Sequence, residues 1–360
     1  MIGTDVREGR APPGERNMLR LVLSLIAALL AGTARAQTPA AFYATHPLTV
    51  MVGTSAGGAY DAYGRLVARH LGKHMPGNPQ IVSQNMPGAG GLAAANFLYN
   101  TAPKDGSYIS IFSRSIPLQP IIDATGVKFD ALKFNWIASP ANDVSIVFSW
   151  GSSKFRKIQD AMEREMIIGA SAAGADSALF AYVQNNLIGT KFKVVMGYPG
   201  AADYVLAIER GELDGSASSS WSNFTGPRAD WVTGKKINVL LQLASEGRPD
   251  VDAPLVTQFA RNDLDRRVLE MIFSRQLLAY PFAAPPGVPE ERVAALRAGF
   301  AELFRDPDFL AEAQRASLEV KPVEGERIRA TLAAAYASPP EVVARARAAV
   351  EQGATPVGSK

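Results

Sequence analysis

Short apolar runs alternate with stretches of helical periodicity along most of this chain. LTVMV from Leu48, QIVSQN from Gln80, YISIFS from Tyr108 and FNWIAS from Phe134 each read as a strand. A second series follows: SIVFSW from Ser145, MIIGAS from Met166, FKVVMGY from Phe192, LDGSASSS from Leu213 and INVLLQLA from Ile237. Between strands, Tyr63, Leu66, Val67 and Leu71 recur at helical spacing, as do Leu92, Ala95, Asn96 and Tyr99. SALFAYVQNNL and ADYVLAIERGE have the same character. LLAYPFAAP from Leu277 is a late strand, and a long helical C-terminal region rich in Ala, Leu, Glu and Arg follows it. Strand, turn and helix in repetition predict an α/β fold. Two such series, with one strand and several helices left over, predict two lobes, the second inserted in the first. The expected limits are residues 37–142 with 249–360 for one lobe and 143–248 for the other. A single large sheet is the alternative, but about ten strands lie at the upper limit for one sheet.

The N-terminus has a different pattern. Met18-Leu19-Arg20 leads into LVLSLIAALLAG and then Ala34-Arg35-Ala36. A positive start, a short apolar core and a small-x-small site form the order of a secretory signal. The apolar run is about 12 residues, short of the roughly 20 needed to span a bilayer. Residues 1–36 are therefore expected to be removed, with Met18 as the true start, which places the protein in the periplasm. Of the 37 Lys and Arg and 34 Asp and Glu, five and three fall in that segment, leaving 32 and 31. A net charge of +1 over the remaining 324 residues does not call for nucleic acid. With no cysteine, disulfides, thiolate metal sites and cysteine nucleophiles are excluded.

The candidate chemistry lies at the strand ends. TSAGGAYD (residues 54–61) and QNMPGAGG (84–91) each follow a strand and open a helix. Glycine lets backbone approach a ligand closely, and the free N–H groups of a helix start face it. Two such loops on neighbouring strands would make a nest for an anion, most simply a carboxylate. The second series has its own small-residue turns: GASAAGADS from Gly169, GYPGAADY from Gly197 and SASSSW from Ser216. Ligands of open α/β sheets sit at the carboxyl ends of the strands, so two facing lobes would enclose a small molecule. Arg114 lies just past the third strand and could pair with a carboxylate in bidentate fashion. Trp221 could stack on a ligand or pack its lobe.

These loops resemble the extracytoplasmic solute receptors of the tripartite tricarboxylate transporter family, the Bug receptors. Gly57, Gly58 and Asp61 match the family's first loop; Asn85, Pro87, Gly88, Ala89, Gly90 and Gly91 match its second. Pro103, Asp105 and Gly106, then Tyr198 and Gly200, then Gly211 and Asp214 follow in the family's order. AAPPGVPEERVAALRAGFAELFRDPDF is similar to its C-terminal segment, and the resemblance spans nearly all of residues 37–360. The chain departs from the pattern at Ala59 and Tyr60, at Ser113-Arg114-Ser115 and at Ala172, Ala173 and Ala175.

The resemblance implies a two-lobed periplasmic-binding-protein fold of type II, each lobe a mostly parallel sheet flanked by helices. It further implies a monomeric receptor without cofactor or metal that hands a small carboxylate to membrane transporter subunits. Backbone at Thr54, Ser55, Ala56, Gly57 and Gly58 and at Gly88, Ala89, Gly90 and Gly91 would hold one carboxylate. Ser113, Arg114, Ser171, Ser177, Tyr198, Gly200, Ser219, Ser220 and Trp221 would contact the rest. Asp61 is expected to stabilise its helix start, paired with Arg65 one turn on.

Enzyme patterns are incomplete. Gly88-Ala89-Gly90 with Ala93 matches GxGxxA but lacks the acid expected about 20 residues on. Gly169-Ala170-Ser171-Ala172-Ala173 lacks the last glycine of a nucleophile elbow. The three histidines, His46, His70 and His74, are distant in sequence from Ser171. His70 and His74 have metal-pair spacing without the glutamate of a zinc-protease motif, and read as a solvated helix face. An exported hydrolase or lyase on the same scaffold is the alternative reading, and it would need a base beside Ser171.

Overall fold

A computed structural model describes residues 37–171, 175–198 and 200–351; the signal-like segment lies outside them. Among the described residues, eleven strands form two sheets. The first contains β1 (Leu48–Val52), β2 (Ile81–Asn85), β3 (Tyr108–Ile111), β4 (Asn135–Ser139), β10 (Phe282–Ala284) and β11 (Val323–Glu324). Its order is β11-β4-β10-β3-β1-β2. The second contains β5 (Ser145–Trp150), β6 (Met166–Ala170), β7 (Phe192–Met196), β8 (Gly215–Ser220) and β9 (Ile237–Leu243), in the order β7-β6-β8-β5-β9. Both sheets are mixed. β1 runs parallel to β2 and β3, while β10 returns antiparallel between β3 and β4. In the second sheet β6 is parallel to β7 and β8, and β5 is antiparallel to β8 and β9. The two-lobed α/β class expected from the sequence is the one observed.

Burial explains the strand sequences. All five residues of β1 are buried, as a central strand covered on both faces requires. β2 alternates half-buried and exposed positions at the sheet edge. Helix α1 (Ala59–His70) packs so closely on β1 that a Cβ at Gly64 would meet Val52 at 2.6 Å. Phe282, Phe300 and Val50 lie in the core on one face of the first sheet. Met51, Phe112 and Trp136 belong to a second core that continues into the other lobe through Ile168, Ala217 and Phe180.

The chain leaves the first sheet after β4 and returns after β9. The outward crossing is tied to the late chain by Asn142 N–H donating to Lys321 O (2.9 Å) and Lys321 N–H donating to Pro140 O (3.0 Å). At the return crossing Arg248 pairs with Asp250 at 2.7 Å and Glu319 at 2.9 Å. Among the helices, α2 (Leu92–Asn100) follows β2, and α3 (Asp176–Leu187) and α4 (Ala201–Glu209) flank the second sheet. After the return, α5 (Asp263–Phe273) packs against α6 (Pro340–Glu351), and α6 also packs on α3. Arg345 donates to Asp265 and to the Asn186 carbonyl, and Arg347 to the Ile121 carbonyl. The last described helix thus braces elements of both sheets.

Candidate ligand-binding site

The first glycine loop is built around Asp61. Its carboxylate accepts from Gly57 N–H (2.9 Å), from Arg65 Nε (2.9 and 3.0 Å) and from Asn85 Nδ2 (2.9 Å). Asn85 Nδ2 also reaches the Thr54 carbonyl at 3.0 Å, joining the two glycine loops. Burial by itself would raise the Asp61 pKa, but the bonds from Arg65, Gly57 and Asn85 outweigh it and hold the group at about 2. Asp61 therefore stabilises the helix start, as its position suggested, and the Gly57 amide is committed to it.

The second loop is conformationally demanding. Gly88, Ala89, Gly90 and Gly91 have φ of 150°, 46°, 66° and 103° in succession. Only Ala89 carries a side chain there, in a region that L-residues rarely adopt. Gly91 and Gly53 pack back to back: a Cβ on Gly53 would lie 3.6 Å from Gly91 Cα and 3.3 Å from Ala94 Cβ. A Cβ on Gly58 or Gly90 would meet nothing within 4 Å. Close packing requires glycine at 53 and 91, whereas 58 and 90 leave backbone open to an approaching group.

A polar cavity of about 320 Å³ forms on the second sheet's helix-start side. Of the residues expected at the site it gathers Arg114, Ser171, Ser177, Ser219 and Ser220. Arg114 reaches it from the loop after β3: its N–H donates to the Tyr60 hydroxyl (3.1 Å), Nη1 to Gln276 Oε1 (2.6 Å) and Nη2 to Ser220 Oγ (3.3 Å). Burial weighs against its charge, but Tyr60, Asp176 and Asp143 more than offset that and hold its pKa above the ordinary arginine value. Ser171 N–H donates to Ser177 Oγ at 3.4 Å.

Among the further residues that line the cavity and that sequence reasoning missed are Asp176, Tyr204 and Arg228. Asp176 opens α3, where an acid suits the helix dipole, and it lies 3.7 Å from Arg114 and 3.0 Å from Arg275. Its place in GADS was visible, but its two arginine partners come from distant segments. Tyr204 reads as a core position of α4. Arg228 sits over the Trp231 ring at 5.3 Å, and no local pattern marks it.

The other expected site residues are placed elsewhere. Ser55, Ala56, Gly57 and Gly58 are exposed on the first loop, and the Thr54 hydroxyl is buried without a hydrogen-bond partner. Ser113 Oγ is 3.0 Å from Ser115 Oγ. Tyr198 packs edge-on to Tyr204, 6.3 Å between ring centroids, and Gly200 caps α4. Trp221 is buried beside Phe224, with its indole N–H donated to Asp250 at 3.1 Å. Ala89 and Gly90 border a different, larger cavity. His70 and His74 are not a solvated face: they are mostly buried against the helix Pro307–Arg315, contacting Glu312 (2.6 Å) and Asp306 (2.9 Å). The carboxylate nearest in role to a base for Ser171 is Asp176, and two guanidinium groups hold it.

No family model matches this chain. A UPF0065 protein of Agrobacterium vitis, in the TAR-I ttuE-ttuC' intergenic region, is 32% identical over 134 residues, which is 37% of this chain and 34% of that protein. The match thus spans about a third of the relative's length. Solved structures cover more. A TctC solute-binding protein from Polaromonas superposes with a TM-score of 0.65 at 20% identity, over 86% of this chain and all of that one. Rpa4515 of R. palustris, solved with adipate, gives 0.59 at 19%, over 84% of this chain and 97% of its own. The fold is that of the two-lobed periplasmic solute-binding proteins. Among its structural neighbours are a TctC and a BugD binding protein, and the UPF0065 match agrees with them.

Proposed function

We propose that this protein is an extracytoplasmic solute-binding receptor that captures a small organic carboxylate between its lobes for a tripartite tricarboxylate-type transporter. The observation that carries the reading is the polar cavity in which Arg114, from the first sheet, meets the serines of the second. Arg114 and Arg228 supply positive charge, with Asp176 as the acid between Arg114 and Arg275. The hydroxyls of Ser171, Ser177, Ser219 and Ser220 supply hydrogen bonds, and the open backbone at Gly58 and Gly90 completes the site on lobe closure. Trp221 and Tyr198 shape its second-lobe wall from behind. That the structural neighbour Rpa4515 of R. palustris was solved with adipate supports a carboxylate as ligand.

The lobes of this reading are residues 37–142 with 249–360 and residues 143–248, with α5 and α6 of the first segment packed on the second lobe. The protein works as a periplasmic monomer, released by cleavage after Ala36, and performs no catalysis, since the Asp176 carboxylate is engaged by arginines rather than free to act as a base. A thermal-shift screen of adipate, malate, succinate and citrate on the exported protein tests the function. A ligand at 100 times its Kd adds about 2.7 kcal/mol, and no shift with any small carboxylate would overturn the reading. Mass spectrometry finding Gln37 at the N-terminus tests the export step.

A further inference from the structure

A second cavity of about 700 Å³ lies apart from the polar one, between the glycine loop at Ala89 and Gly90 and the helices α3, α5 and α6. Much of its wall is hydrocarbon, from Leu118 and Ile122 of the first lobe, Leu179 and Val183 of α3, Ile272 of α5 and Val350 of α6, with Ser115 and Gln119 beside them. Its size lies within the range of small-molecule sites, yet its lining is unlike the serine-rich pocket that a small dicarboxylate suits.

One buried cation borders it. Arg275 is 8% exposed, stacks over the Phe180 ring at 4.5 Å, and donates Nη2 to Asp176 Oδ1 at 3.0 Å. Its Nε is buried with no hydrogen-bond partner. Leaving a charged donor buried and unpaired costs free energy that an incoming acceptor would recover. Burial, with Arg114 nearby, also presses the Arg275 pKa downward, so an added anion would stabilise its charge. The Arg275–Asp176 ion pair stands between the cavities, since Asp176 lines the polar one and Arg275 the apolar one. At the apolar cavity's edge is Asp123, exposed and kept ionised by its bonds from Thr125. A second negative charge on a ligand would be repelled there.

We propose that this apolar cavity is a separate binding site for a monocarboxylate with a hydrocarbon tail, its carboxylate on Arg275 and its chain along Leu118, Ile122, Leu179 and Val183. The site goes beyond receptor capture of a small carboxylate, whose site it adjoins at Gly90 and at the Arg275–Asp176 pair.

Titration calorimetry of the purified chain with decanoate tests the site. Decanoate should bind, and both decanol and the dicarboxylate sebacate should bind about tenfold more weakly or less, the first lacking the charge and the second meeting Asp123. Arg275→Gln should weaken decanoate by about tenfold or more, and Leu179→Trp, which fills the cavity, should abolish its binding. Ile122→Trp serves the same purpose should Leu179→Trp fail to fold. Arg228→Gln, confined to the polar cavity, should leave decanoate affinity unchanged while weakening small carboxylates. Decanoate that does not bind, that binds no better than decanol, that is insensitive to Arg275→Gln and the tryptophan variants, or that is lost in Arg228→Gln would overturn the proposal. A chain that binds adipate but not decanoate loses only this inference; the reverse result loses only the receptor reading.

Discussion

The two halves of the candidate site use different chemistry. On the first sheet the strand ends present backbone: the loop at residues 54–58 is organised by Asp61, and the loop at 88–91 by four consecutive residues of positive φ. On the second sheet the strands and turns present side chains, with six serines in one cavity beside Asp176 and Arg228. Backbone groups are the same in every sequence, so the first half can grip an anion without choosing among anions. Side chains carry identity, so the second half, with Arg114 reaching into it, is where discrimination would lie. A rigid general grip and a variable selective wall are a natural division for a fold whose function sits in a few residues.

Arg114 is the sharpest place to break this comparison, because it belongs to the first half by sequence and to the second by contact. Arg114→Met should weaken carboxylate binding by about 2–5 kcal/mol, the range for losing one partner of a buried charge pair. Calorimetry with a ligand from the screen would measure it, and unchanged affinity would remove the polar cavity from consideration. Gly90→Leu tests the backbone half. Its Cβ meets no neighbour, so the variant should fold with about 1–2 kcal/mol of left-handed strain. Affinity should fall about a hundredfold, or 2.7 kcal/mol, as the side chain bars close approach; full affinity in the folded variant would show that the loop does not touch ligand.

Asp61 separates loop organisation from ligand contact. Its folded pKa of about 2 lies below the ordinary value of 3.8. The stabilisation is therefore present above about pH 4 and is lost as pH falls towards 2, amounting to about 2 kcal/mol. Denaturant unfolding of wild type and Asp61→Asn at pH 7 and pH 3 should show the difference at pH 7 shrinking at pH 3. A constant difference would mean that the carboxylate's charge is not what organises the loop. The smallest effect is expected at Trp221. Trp221→Phe removes the bond to Asp250 and should cost about 1 kcal/mol of stability with ligand affinity unchanged, whereas a loss of affinity would return Trp221 to the binding surface.

Ten of the eleven described strands were legible, most of them as apolar runs, because a strand covered on both faces is apolar along most of its length, although β8 (GSASSS) is buried and rich in serine. β11 was not, since two residues, Val323 and Glu324, carry no period. The glycine loops were legible for a related reason: backbone at positive φ leaves its mark in residue type. Their division of labour was not, because whether a glycine serves packing, as at 53 and 91, or openness, as at 58 and 90, depends on what lies opposite.

The sequence by itself thus determined the α/β grammar, the two strand series, the export signal as an expectation and the presence of anion-suited loops at strand ends. Each of these is written in neighbouring residues, whose period and turn chemistry act over short range. The tertiary structure alone decided which arginines meet Asp176, that Trp221 turns inward to Asp250, and that α6 returns to help enclose an apolar cavity. Those outcomes join segments separated by tens to more than a hundred residues. Electrostatic pairing and cavity shape are properties of surfaces brought together by folding, and no local pattern encodes them.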